Sequence, residues 1–241
     1  MNHGLFIAGT DTGVGKTVVA AAIIKALHIQ GIHACGMKPI ETGCTRVGGT
    51  LHPSDGMFLK KVARMDEHIG FVTPCCFENP VAPSLASEVE GRAIHIPLIR
   101  EKFQALLERY PAVVVEGIGG ILVPIKKDYF VVDLIRELDL PLVIVTRPSL
   151  GTINQTLLTV NYALGKGIAV LGVIINFSRP PERTVAENTN PLLLEQLCPV
   201  PVIGIFPHLN SLEDEVLERS ALKHLDINVL RKHLLGSEGT R

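Results

Sequence analysis

The chain carries almost no net charge, no long apolar run and no cysteine spacing that builds a metal site or a disulfide framework. Its 23 Lys and Arg against 24 Asp and Glu leave a formal net charge of -1. No stretch gathers the cations into a basic patch, so nucleic acid is excluded as the expected partner. No apolar run reaches the ~18 residues needed to cross a bilayer, and no membrane association is expected. The first residues lead straight into an apolar segment, without the basic region and cleavage site of a leader, so a cytoplasmic location is expected. Five cysteines (Cys35, Cys44, Cys75, Cys76, Cys198) make an odd number with no C-x-x-C pair, which argues for reduced thiols. Cys44 has no evident base to activate it.

What the chain does have is apolar material in short blocks. With 241 residues, 46% hydrophobic and 20% charged, it can bury a sizeable core. The expected architecture is one α/β domain spanning 1–241, with a frayed tail at 236–241.

Residues 3–17, HGLFIAGTDTGVGKT, read as an apolar strand, a glycine-rich loop and the start of a helix. Gly9, Gly13 and Gly15 let backbone N–H groups turn inward toward phosphate oxygens, and the helix adds the positive end of its dipole. Lys16 would reach the β- and γ-phosphates, and the Thr17 hydroxyl would complete a Mg²⁺ shell. The pattern departs from G-x-x-x-x-G-K-[ST] at one place, because Thr10 stands at the first glycine position.

Downstream, apolar blocks alternate with helical ones, the signature of a mostly parallel central sheet with helices on both faces. Strands are expected at 33–37, 112–115, 140–146, 169–176 and 200–205. Helices are expected at 16–30, from 54, at 84–90, 98–109, 154–164 and 190–197, with two more between 212 and 233. Lys38 ends the second strand, where open parallel sheets collect ligand-binding groups; it is either a second cation of the site or a solvated lysine. Ser54 or Asp55 reads as the cap of the next helix, and Asp55 alternatively as a Mg²⁺ ligand. Glu116 follows a buried strand in the manner of a Walker B acid, ahead of Gly117, Gly119 and Gly120. Asn176 ends another strand and could read a purine edge or cap a turn. The backbone from Gly204 to Pro207 could border a base.

In their order and separation, these motifs make the chain resemble the dethiobiotin synthetase family along most of its length. The residues carrying the resemblance are 9–17, Lys38-Pro39 with Thr42-Gly43, Ser54-Asp55, Glu116-Gly117 with Gly119-Gly120, Gly151 with Ile153-Asn154, Asn176, and Gly204 with Pro207. Thr at the first glycine position is the family's usual residue. The resemblance implies a P-loop fold and an ATP- and Mg²⁺-dependent ligase that carboxylates 7,8-diaminononanoate with CO₂. The carbamate is phosphorylated and the ring closed, releasing ADP and phosphate. It implies Lys16, Lys38 and Thr12 as the catalytic set, and Thr17, Asp55 and Glu116 as Mg²⁺ ligands. For the nucleotide it implies Thr12, Gly13, Val14, Gly15, Lys16, Thr17, Asp55, Glu116, Asn176, Gly204 and Pro207. For the diamine it implies Thr12, Lys38, Thr42, Gly119 and Asn154. It also implies a homodimer.

The chain differs from the family in Thr42, where Ser is common, and in the Ile121-Leu122-Val123-Pro124 stretch, which lacks an aromatic some members carry. Residues 182–190, the counterpart of a segment that reaches a neighbour's site, match poorly. The competing class is a nucleotide switch of the partitioning-ATPase type. Its signature lysine would fall at position 11, where Asp11 stands. An amidating synthetase would need a glutamine-hydrolysing domain for which 241 residues leave no room.

Overall fold

Six apolar blocks become the strands of one parallel sheet. They are β1 (Gly4–Gly9), β2 (Ala34–Met37), β3 (Ala112–Gly120), β4 (Leu142–Thr146), β5 (Val170–Asn176) and β6 (Val202–Phe206). The computed structural model describes residues 3–235, so the expected tail at 236–241 lies outside the described residues. Across the sheet the order is β6-β5-β4-β1-β3-β2, with every neighbouring pair parallel. Every residue of β1, β2 and β4 is buried, as required when helices cover both faces. The expected fold class is the one observed.

Ten helices complete the described residues: α1 (Lys16–Ile29), α2 (Ser54–Val62), α3 (Ile69–Val72), α4 (Pro83–Val89), α5 (Ile96–Leu107), α6 (Val131–Glu137), α7 (Thr152–Gly165), α8 (Val185–Leu197), α9 (Asp214–His224) and α10 (Ile227–Leu235). Helix α1 is buried almost all round because it lies between the sheet and α9. Even Lys25 is enclosed there, with its ammonium paired to Asp214 at the start of α9. Gly31, at φ 80°, follows the helix as expected of a C-terminal stop.

Several boundaries moved for identifiable reasons. Residues 38–53 hold more than a loop. Ile40–Glu41 pairs in parallel with Cys75–Cys76, and Thr45–Val47 forms an antiparallel hairpin with Thr50–His52 through Gly48 and Gly49. Both hairpin glycines have positive φ, so the turn chemistry is legible once the register is known. Helix α8 starts at Val185, five residues before the expected position, because Thr184 accepts a bond from the Glu187 N–H and the helix runs on through Pro191. Helix α6, unexpected from the sequence, begins where the Asp133 carboxylate accepts from the Phe130 N–H.

Candidate active site

Strand β1 lies between β4 and β3, neither adjacent to it in sequence, so the connections diverge at its carboxyl end. That switch point leaves a crevice, and ligands of open parallel sheets bind there. The glycine-rich loop fills this position and opens directly into α1. Its conformation depends on Gly15, which has φ 86° and caps the helix. A Cβ at Gly15 would lie 2.1 Å from Nδ2 of Asn176, so both the dihedral and the space demand glycine. The Asn176 amide donates to the Val14 carbonyl at 2.8 Å, which ties the end of β5 to the loop. Thr10 has its own role: its hydroxyl joins Thr146 at 3.0 Å, and Thr146 bonds Thr152 at 2.8 Å. A glycine at position 10 would leave that buried hydroxyl chain one member short.

The charged groups come from the start of α1, the end of β2, β3 and α2. Lys38, 3% exposed, donates to Glu116 Oε1 at 2.5 Å and to the Gly117 carbonyl at 3.0 Å, and faces Asp55 Oδ2 at 3.2 Å. The Thr17 hydroxyl donates to Glu116 Oε1 at 2.9 Å. Strand β3 does not stop at this acid, as the sequence pattern suggested, but continues to Gly120. Burial therefore pushes the Glu116 carboxyl up, and the Lys38 ammonium pulls it back. Burial opposes the charge on Lys38 as well, but Glu116 and Asp55 outweigh it and hold the ammonium above the ordinary lysine range. Lys16 folds onto the Asp11 carbonyl at 3.2 Å, and burial, then the Lys38 charge, lowers its pKa to about 8. Two ammonium groups held close in a buried crevice call for an anion between them.

A cleft of about 540 Å³ lies over this cluster. Thr12, Gly13, Gly15, Lys16, Thr17, Lys38, Thr42, Asp55, Glu116, Gly119, Asn176 and Pro207 all line it, so twelve sequence-selected residues meet in one cavity. Three do not line it. Val14 is buried beneath the loop and contributes its carbonyl. Gly204 faces the C-terminal helices, where a Cβ would lie 2.5 Å from Leu225 Cδ2. Asn154 is exposed in the first turn of α7.

Sequence reasoning missed Glu41 and Arg147. Helix α2 is capped neither by Ser54 nor by Asp55. Its N-cap is Pro53, which offers no side-chain acceptor, and the distant Glu41 carboxylate accepts from Ser54 Oγ and from the Asp55 and Gly56 N–H groups. Arg147, just past β4, pairs with Asp11 at 3.1 Å and donates to the Thr12 carbonyl at 3.1 Å. Nothing local to either residue announces these partners, which lie 13 to 15 residues from Glu41 and 135 to 136 from Arg147. Cys44 and Cys76 sit on neighbouring segments next to Glu41, with Cys44 N–H donating to the Phe77 carbonyl. All five cysteines are free.

The strand order, the loop conformation and the lysine and threonine opening α1 define a P-loop nucleotide-binding protein. Solved structures agree on the fold: a ParA family ATPase from Chlorobium tepidum matches with a TM-score of 0.52 and 18% identity over 97% of this chain and 98% of that one. The signal recognition particle receptor FtsY of Elizabethkingia anophelis, in complex with GDP, gives 0.55 and 10% over 99% of this chain and 65% of that one. A family model described as an AAA domain matches residues 3–216. Sequence relatives are more specific. The ATP-dependent dethiobiotin synthetase of Thermodesulfovibrio yellowstonii is 45% identical, covering 95% of this chain and 99% of its own length. That of Bacillus subtilis is 37% identical, covering 95% and 97%. The chain belongs to the dethiobiotin synthetase family.

Proposed function

We propose that the protein is an ATP-dependent ligase that carboxylates 7,8-diaminononanoate with CO₂ and closes the cyclic urea of dethiobiotin. The observation that carries this is the convergence of Lys16, Lys38, Thr17, Asp55 and Glu116 on one cleft beside the phosphate loop. One diamine nitrogen bonds to the carbon of CO₂ and loses a proton, giving a carbamate. A carbamate oxygen then takes the γ-phosphoryl group as the bond to ADP breaks. The second nitrogen attacks the mixed anhydride carbon, phosphate leaves, and the ring is closed. Lys16 and Lys38 offset the charge growing on the transferring group and the carbamate, and the Thr12 segment of the loop stands between the occupants.

The donor set suits Mg²⁺. Among the described residues no group of three or more His, Cys, Asp and Glu side chains could hold a metal by itself. Mg²⁺, however, is commonly held by one or two carboxylates plus substrate phosphates. Glu116 Oε2 is buried without a hydrogen-bond partner, which is the kind of oxygen a cation would satisfy. Glu116, Asp55 and the Thr17 hydroxyl would hold it, and it would screen the phosphate charge.

Asn176 and the segment from Pro207 to Leu212 support a base site at the outer end of the cleft. Thr12 and Gly13 also line a second cavity of about 760 Å³, with Arg147, Ser149 and Thr184, so the loop forms a wall common to two spaces. Exposed apolar side chains support a homodimer: Leu150, 89% exposed, and Val185, 80%, line that cavity, and Leu158 of α7 and Leu192 and Leu197 of α8 are exposed as well. Asn154 on the same helix would then serve the diamine site of a partner rather than its own. Among the described residues no helix is long and apolar enough to cross a membrane, and the pathway chemistry suits the cytoplasm.

Purified protein given diaminononanoate, bicarbonate, ATP and Mg²⁺ should produce dethiobiotin and phosphate in step. Phosphate release that ignores the diamine would overturn the ligase reading.

A further inference from the structure

We propose that Glu41 is a positioning residue for the metal and nucleotide site, setting the distance between Lys38 and Asp55 by clamping the first turn of α2. The inference rests on the reading of Asp55 as a Mg²⁺ ligand. Glu41 is 4% exposed, and its backbone is anchored by the short parallel ladder with Cys75–Cys76. Its carboxylate is enclosed by donors of one helix turn: Ser54 Oγ at 3.2 Å, the Asp55 N–H at 3.0 Å and the Gly56 N–H at 3.0 Å.

A helix start has unsatisfied N–H groups, and a Ser, Thr, Asp or Asn at the N-cap normally supplies the acceptor. Pro53 holds the N-cap of α2 and cannot do so. An acceptor from the preceding segment achieves something a local cap does not, because it joins two pieces of chain. One piece is Lys38 to Glu41, leaving β2; the other is the α2 turn that carries Asp55. The side chains of those two pieces meet at 3.2 Å, between Lys38 Nζ and Asp55 Oδ2. Fixing the backbone on both sides of a contact is how outer partners orient the groups that touch a metal.

Charge supports a supporting role rather than direct ligation. Burial pushes the Glu41 carboxyl up on balance, and the Gly56 and Asp55 N–H groups of the helix terminus offset part of that. Glu41 and Asp55 both line the cleft, but both Glu41 oxygens are already bonded to α2, whereas the Asp55 side chain is 40% exposed.

The test is calorimetric titration of Mg²⁺ into protein bound to a non-hydrolysable ATP analogue, comparing the native chain with Glu41→Ala, Glu41→Gln and Asp55→Ala. Asp133→Ala serves as the destabilised control, since it removes a carboxylate cap from α6 whose bond is to the Phe130 N–H and not to Glu41, Lys38 or Asp55. Glu41→Ala is expected to weaken Mg²⁺ about tenfold, as loss of an orienting partner does. Glu41→Gln should fall between, because one amide oxygen can still accept from α2. Asp133→Ala should lower Tm and leave Mg²⁺ affinity unchanged. Native affinity in both Glu41 variants alongside weakened binding in Asp55→Ala would overturn the proposal and reduce Glu41 to a helix brace. Native affinity in Asp55→Ala would overturn the ligand reading of Asp55 itself. Should Glu41→Ala fail to fold, the near-isosteric Glu41→Gln carries the same comparison.

Discussion

The two halves of the sheet bring different chemistry to one cleft. Strands β2 and β3, with the first turns of α1 and α2, deliver the charges: Lys16, Lys38, Glu116 and Asp55. Strands β5 and β6 bring neutral groups to the cleft, the Asn176 amide and the loop after Phe206, while β4 holds the phosphate loop through the buried Thr146 hydroxyl cluster and, just past its end, Arg147. In the charged half Lys38 and Glu116 are buried together, 3% and 1% exposed, and each offsets the cost of burying the other's charge. The neutral half holds the loop in shape and borders the outer end of the cleft. The expected division of labour is therefore transition-state charge on one side and nucleotide placement on the other.

The largest effect should come from the charged half. Lys38→Ala is expected to lower kcat by ~10²-fold or more, the loss typical of a contact made to developing charge. Because it also strands Glu116 in the interior, the Tm should be recorded alongside the kinetics. Near-native turnover would remove Lys38 from the chemistry and break the comparison. Next, Glu116→Gln should raise the Mg²⁺ concentration for half-maximal rate by roughly ten- to a hundredfold. An Mg²⁺ curve that coincides with the native one would return Glu116 to a structural role.

Substitutions in the neutral half should act on binding more than on turnover. Asn176→Ala removes the donor to the Val14 carbonyl, and a rise of about tenfold in KM for ATP with kcat within a factor of ~3 is expected for lost uniform binding. Equal falls in kcat and kcat/KM would instead place Asn176 with the catalytic groups. The smallest effect should be that of Thr10→Val, which breaks the hydroxyl chain at its edge while keeping the side-chain shape. A loss of ~1 kcal/mol in stability by chemical denaturation is expected, with kinetics close to native. A large kinetic effect would show that the chain reports to the loop.

Much of this was legible before the fold was known. The phosphate loop, the alternation of strands and helices, and the positions of Lys38, Glu116 and Asn176 at strand ends follow from local pattern, because strand ends and glycine turns are short-range events. The family resemblance added the separation of those motifs along the chain. The start of α2 falls at Ser54 as expected, but its acceptor comes from distant Glu41 rather than from Ser54 or Asp55, and α6 was unforeseen although its Asp133 acceptor is local.

By itself, then, the sequence determined the parallel α/β class, the phosphate cradle and most of the residues that line one cleft. Local chain chemistry suffices for the class and the cradle, since glycine dihedrals, apolar runs and the helix start after a loop are decided within a few residues, whereas Thr12, Thr42, Gly119 and the choice of Asp55 as a ligand came from the family resemblance. Only the tertiary structure decided that Lys38 pairs with Glu116 and faces Asp55, that Glu41 caps α2, that Arg147 grips the loop at Asp11, and that Gly204 turns away from the cleft. Those contacts join residues from 13 to 136 positions apart. Strand order and register, which no local pattern specifies, choose which ends of the chain meet, and the electrostatics of the cleft follow from that choice.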